Sequence, residues 1–202
     1  MATNNLKLKQ ITLSGYKSIH PDGQPIDFDN LTVLLGANGS GKSNLVSFFR
    51  MLNFITSKGL QNFIEKQGSA DALLYYGAKH TEKIEFSVTL ASGNDTTKYK
   101  AKLVHGMPDR LFFAEEKVTF QKAGEKKPQE YFIEEGKGEA GLPDDKNTTS
   151  RVLFSALSGI RAYHFHDTSD TAPVTATFSM IAKSVSRSMV SPSIQISAVH
   201  SL

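Results

Sequence analysis

The chain has 202 residues, of which 39% are hydrophobic, 9% aromatic and 21% charged, with no Cys and no Trp. That is enough chain for a sizeable core in one or two domains, and the composition excludes disordered, collagen-like and coiled-coil classes. Without cysteine there is no disulfide scaffold and no Cys-ligated metal site. No apolar run reaches spanning length, and Met1–Gln10 lacks the apolar segment of a secretory signal, so the expectation is a cytoplasmic protein without a membrane. The pI of 9.0 is a weak pointer to nucleic acid. All acids lie before Thr171, where the net charge is only +1, and the acid-free tail supplies Lys183 and Arg187.

In chain order, Leu8–Leu13 reads as a strand, His20-Pro-Asp-Gly23 as a turn and Pro25–Phe28 as a second short strand. Leu31–Leu35 is a short apolar run of the buried-strand type that feeds directly into Gly36-Ala-Asn-Gly-Ser-Gly-Lys-Ser43. The period then changes to 3.6. Ser47, Arg50, Asn53 and Ser57 share one face of a helix, with Leu45, Phe48, Phe49, Leu52 and Ile55 opposite. A shorter helix is expected around Leu60–Lys66.

From Lys83 the pattern turns to strands: Lys83–Leu90, Lys98–Val104, Leu111–Ala114, Lys117–Phe120 and Tyr131–Ile133, an antiparallel meander. Glu134–Ser150 reads as a loop or mobile insertion, Arg151–Ser158 as a helix and Ile160–Phe165 as a last strand.

Gly36-x-x-x-x-Gly41-Lys42-Ser43 carries the chemistry. Glycines at 36, 39 and 41 let backbone N–H groups converge into one concavity, and the following helix adds its positive dipole end beneath it. Lys42 is placed to meet β- and γ-phosphates, and the Ser43 hydroxyl to ligate Mg²⁺. His164-x-His166-Asp167 offers two histidines on one strand face, too few ligands for a metal site by themselves.

Ile11-Thr-Leu-Ser-Gly-Tyr-Lys-Ser-Ile19, the Leu31–Leu35 strand and Gly-Ala-Asn-Gly-Ser-Gly-Lys-Ser-Asn44 resemble the opening of ABC-type ATPases related to RecF, Rad50 and the SMC proteins, and more narrowly bacterial ATPases labelled AAA-family. Leu73-Leu-Tyr-Tyr-Gly77 and Tyr163-His-Phe-His-Asp-Thr-Ser169 look like that narrower group, over residues 6–173. The resemblance implies an α/β P-loop NTPase fold: part of an ABC-ATPase-like head, a mixed sheet with the P-loop helix plus an antiparallel β-lobe. It implies ATP and Mg as cofactors, held by Gly36, Ala37, Asn38, Gly39, Ser40, Gly41, Lys42, Ser43 and Asn44, with Lys17 and Ser18 near the nucleotide. It also implies a homodimer of heads closing on ATP, with DNA or an effector protein as partner, in DNA repair or phage defence.

Two parts of that pattern are missing. Leu157-Ser-Gly-Ile160 lacks the second Gly of a signature, and Leu111-Phe-Phe-Ala-Glu-Glu116 mimics an acidic Walker B strand but reads as a strand end with solvated acids. No catalytic residue is assigned, and turnover by this chain alone is not expected. Residues 174–202 depart from the pattern as a Ser-rich tail, expected to be disordered or the product of a frameshift near residue 174. The alternative from another class is a non-enzymatic interaction module that uses the P-loop as a structural or regulatory clamp.

Overall fold

A computed structural model describes residues 6–35, 40–133, 135–164, 178–182 and 194–198, by backbone alone beyond residue 160. The elements are β1 (Lys7–Ser14), β2 (Gln24–Asp27), β3 (Leu31–Thr32), α1 (Lys42–Thr56), α2 (Leu60–Lys66), β4 (Lys83–Ser92), β5 (Asp95–Gly106), β6 (Arg110–Gln121), β7 (Gln129–Phe132), α3 (Thr148–Ser158), β8 (Ile160–His164), β9 (Phe178–Ala182) and β10 (Ile194–Ala198). One sheet has six strands in the order β2-β1-β4-β5-β6-β7, every neighbour antiparallel. The other is mixed, in the order β3-β10-β9-β8, with β3 parallel to β10.

Alternation along the strands sends Ile11 and Leu13 of β1, Ile84, Phe86 and Val88 of β4, and Tyr99, Ala101 and Leu103 of β5 into one core. α1 supplies the opposing surface. Leu45, Phe48, Phe49, Leu52 and Ile55 are all buried, as their spacing predicts, and Val46, Met51 and Thr56 join them. Phe48 sits edge-to-face with Phe86, ring centres 5.2 Å apart, and with Tyr16 at 6.2 Å. This packing fixes α1 against β4 and the segment that follows β1.

Three expectations change. First, Leu111–Ala114 and Lys117–Phe120 are one strand, β6. Its register against β5 shifts between the pairs Lys102↔Glu115 and Leu103↔Phe113, so Ala114 is an extra residue, a bulge. The bulge reverses the alternation and carries Glu116 into the interior, where it is fully buried in mid-strand. The reading of a strand end with solvated acids is therefore corrected.

Second, the expected loop Glu134–Ser150 is anchored over its described residues, 135–150. Lys137 O accepts from Phe113 N (2.9 Å), Gly136 N donates to Phe113 O (2.7 Å), and Ala140 and Leu142 are buried. Backbone groups beside the bulge need partners, and this segment supplies them. Third, the apolar run at β3 is not buried: Leu31 is 61% and Leu35 65% exposed, because β3 pairs with β10 alone among the described residues.

Within the 174–202 tail, Phe178–Ala182 and Ile194–Ala198 lie in strands. Phe178 and Met180, and Ile194 and Ile196, give each piece a period of two that the intervening serines mask. His164 closes β8, while His166 and Asp167 lie outside the described residues.

α3 begins with a cap at Asn147, whose Oδ1 accepts from Thr149 N at 2.8 Å. Asn147→Ala is expected to cost about 1 kcal/mol, read as a lower urea midpoint with an unchanged slope.

Candidate phosphate-binding site

Gly36, Ala37, Asn38 and Gly39 lie outside the described residues; the second half of the loop is visible. Gly41 precedes α1 with φ of 91°, a conformation that favours glycine. The first-turn N–H groups of a helix point out along its axis without intrahelical partners. At α1 the N-cap Gly41 brings no side chain, its carbonyl accepts from Asn44 N (3.0 Å) and Leu45 N (3.2 Å), and the first turn holds no acid.

The other two helices differ. Glu139 accepts from Leu60 N (2.7 Å) and Gln61 N (3.1 Å) at the start of α2, and Asn147 caps α3. The positive end of α1 directly follows the glycine-rich loop.

Around this end, Lys42 Nζ donates to Ser40 Oγ at 3.2 Å and Ser43 is exposed. Asn44 Nδ2 donates to Ser18 Oγ at 2.6 Å, and that hydroxyl lies 3.5 Å from where a Cβ on Gly41 would stand. Ser18 and Asn44 therefore brace the loop's exit from opposite sides.

Lys17 behaves differently from its neighbour. Its backbone is left-handed (φ 52°) and tied by its N–H to Leu73 O at 2.8 Å. Its amine turns along the flank of α1, donating to Ser47 Oγ (3.0 Å) and Gln67 Oε1 (2.8 Å). Burial and then the charge of Arg50 pull its pKa below the usual lysine value. Ser47 lies five residues into the helix, about 7 Å along the axis from Lys42 at 1.5 Å per residue. The structure thus places Ser18 by the helix start and the Lys17 amine on its flank.

The acidic mimic is committed elsewhere. Glu116 accepts from Tyr99 Oη (2.7 Å), Gly141 N (2.8 Å) and Leu142 N (3.1 Å), and Glu115 meets Lys100 at 3.4 Å and Lys117 at 3.8 Å on the outer sheet face. Neither is placed to orient a water at α1. Leu157-Ser-Gly-Ile160 spans the end of α3 and the start of β8. Among the described residues no three His, Cys, Asp or Glu gather as a metal site, and no helix is long and apolar enough to cross a membrane. The buried Tyr99–Glu116 pair and the Glu139 cap escape a scan of the sequence; the one local signal is the apolar flanks of Glu116, Phe113 and Val118.

The Gly36–Ser43 motif thus runs into the start of α1 on an α/β fold, with Lys42 in the first turn. A family model described as an AAA domain matches residues 10–160, most of the chain, and the chain belongs to that family. Among solved structures it is similar to the Smc head domain with a coiled coil and joint from Pyrococcus yayanosii, at 20% identity and a TM-score of 0.39, covering 54% of this chain and 22% of that one. It is likewise similar to the Smc head domain with an extended coiled coil bound to the C-terminal domain of ScpA from Pyrococcus furiosus, at 19% identity and a TM-score of 0.39, covering 54% and 28%. The chain thus spans about a quarter of the length of those proteins. No curated protein matches it.

Proposed function

We propose that the chain binds ATP with Mg²⁺ at the start of α1, as the nucleotide-binding portion of an ABC-type head, and does not turn it over alone. The observation that carries this reading is the run of the Gly36–Ser43 motif into the start of α1 at Lys42, through Gly41 in the left-handed region. Backbone N–H groups of Gly36, Ala37, Asn38, Gly39, Ser40 and Gly41 would cradle the phosphates, and Lys42 would neutralise the terminal ones. The Ser43 hydroxyl would hold Mg²⁺, which when bound supplies charge neutralisation across the phosphates. Asn44 and Ser18 keep the loop's exit in place through their mutual bond.

Binding without turnover is the expectation because Glu115 and Glu116, which mimic an acidic Walker B strand, are committed to Lys100, Tyr99 and Gly141. The wider setting in this reading is cytoplasmic: two heads closing on shared ATP, acting on DNA or an effector protein in repair or phage defence.

Isothermal titration with ATP and Mg²⁺ tests the site. Lys42→Ala should weaken binding by about 10-fold or more, the loss of a charge-assisted bond to phosphate. Equal affinity in that variant would remove the assignment. Steady phosphate release by the purified chain would overturn the absence of turnover.

A further inference from the structure

The six-stranded sheet ends on two edges, β2 and β7, and the backbone equips them differently. In an antiparallel pair the N–H and C=O of alternate residues turn inward to the neighbour, and those between turn outward. At β2, Phe28 N donates to Lys9 O (2.7 Å), which sets residues 26 and 28 inward and Pro25 and Asp27 outward. Proline has no N–H to offer, so this edge is closed to a further strand. At β7, Ile133 N donates to Glu116 O (2.8 Å), which sets Gln129, Tyr131 and Ile133 inward and Glu130 and Phe132 outward. Both outward residues carry a full N–H and C=O, and β7 pairs with β6 alone among the described residues.

The side chains along this edge add two observations. Phe132 is 68% exposed, a large ring held in water beside Lys117, whose Nζ lies 5.6 Å from the ring centre and 3.5 Å from Glu130 Oε1. The charges that flank the strand have opposite signs at its two ends. Lys126 and Lys127 precede it, Glu135 follows it, and all three are exposed. No ion pair within the chain engages any of them among the described residues. A strand that is basic at its start and acidic at its end is complementary to its own reverse.

We propose that β7 pairs antiparallel with β7 of a second copy of this chain, about a two-fold axis at Tyr131, joining the two six-stranded sheets edge to edge. One register uses every outward group. Glu130 of one copy exchanges both backbone bonds with Phe132 of the other, and Phe132 with Glu130 in return. That register sets Lys127 of one copy against Glu135 of the other, once on each side of the axis. Sliding the strands until Glu130 faces Glu130 would oppose Phe132 to Pro128, which lacks the N–H. In the favoured register the two Phe132 rings are diagonal neighbours on one sheet face, a spacing that aromatic side chains can bridge. An acidic or a basic peptide laid on this edge would satisfy the charges at one end only. The pairing uses no residue of the α1 site and stands independently of ATP binding there.

Sedimentation velocity of the whole chain without nucleotide, over a concentration series, tests the pairing. A concentration-dependent exchange between monomer and dimer is expected. Lys127→Glu should raise the dimer dissociation constant about 10-fold, since like charges then meet on both sides of the axis. Adding Glu135→Lys to the same chain should restore the dimer, and so should an equimolar mixture of the two single variants. Glu130→Pro removes an outward N–H that β6 does not use, so it should abolish the dimer and leave the thermal midpoint little changed. A chain that stays monomeric throughout the series, a dimer that forms only with ATP, undiminished pairing by Glu130→Pro, or a charge exchange that fails to restore pairing would each overturn the proposal.

Discussion

Glu116→Ala is expected to lower the folding free energy by about 3 kcal/mol, seen as a large drop in urea midpoint. The carboxylate is wholly buried, and three donors converge on it: Tyr99 Oη, Gly141 N and Leu142 N. Truncation leaves these donors in the interior without an acceptor, at about 1–3 kcal/mol for each one that finds no substitute. Tyr99→Phe removes one donor and leaves the carboxylate its two backbone partners, so a loss of about 1 kcal/mol is expected.

The pH dependence is a sharper test of the same pair. Burial raises the pKa of Glu116, opposed by its three donors and reinforced by the nearby charge of Asp145, with a net upward shift. Between the ordinary carboxylate value and the raised one, the folded chain keeps a proton that the unfolded chain has released. Stability therefore falls as pH rises through that window, by at most about 1.4 kcal/mol per unit. Glu116→Gln should abolish this slope. A parent chain whose stability rises through the same window would contradict the burial argument.

Gly15→Ala should destabilise the chain comparably, by about 3 kcal/mol. Gly15 has φ 70°, and an added Cβ would stand 2.4 Å from the carbonyl oxygen of Lys83 and 3.1 Å from Thr81 Cγ2. The left-handed backbone alone costs a substituted residue about 1–2 kcal/mol, and overpacking adds about 1–3 kcal/mol. The oxygen cannot step aside easily, because Lys83 opens β4 and the next strand pair, Ser14↔Glu85, fixes β4 against β1. Gly93→Ala is the matched control. Its φ of 59° carries the same conformational cost, but nothing lies within 4 Å of its Cβ position. It should lose only about 1 kcal/mol. Equal losses at the two sites would show that strain, rather than the collision, decides. Movement at Gly15 would also be felt at the start of α1, since Ser18, bonded to Asn44, follows closely.

The elements that could be read from the sequence are those whose partners lie within one period. The apolar set of α1 repeats every three to four residues, and Ile84, Phe86, Val88 and Leu90 alternate, so one buried face predicts each. The bulge could not be read, because an extra Ala leaves no mark and its effect appears only in the register against Lys102 and Leu103. The exposure of Leu31 and Leu35 was equally hidden: an apolar run states a preference for cover, and whether cover exists depends on neighbouring strands. At the proposed phosphate site the motif names Lys42, Ser43 and Asn44. The direction of Lys17 was set by Ser47 and Gln67, 30 and 50 residues away.

The carboxylate at the head of α2 also carries information about time. A helix of seven residues is too short to persist alone in water. The acceptor for its first N–H groups arrives with Glu139, 79 and 78 residues later in the chain. Gln61 of the same helix waits for Gly138 and Leu111 before its amide is satisfied. α2 therefore belongs to the last stage of folding, settling after the β4–β7 meander has closed and brought the following segment back across it. During synthesis, a chain released before residue 139 would lack the acceptor for the start of α2, leaving the contact of Phe63 with Phe54 of α1 to hold it.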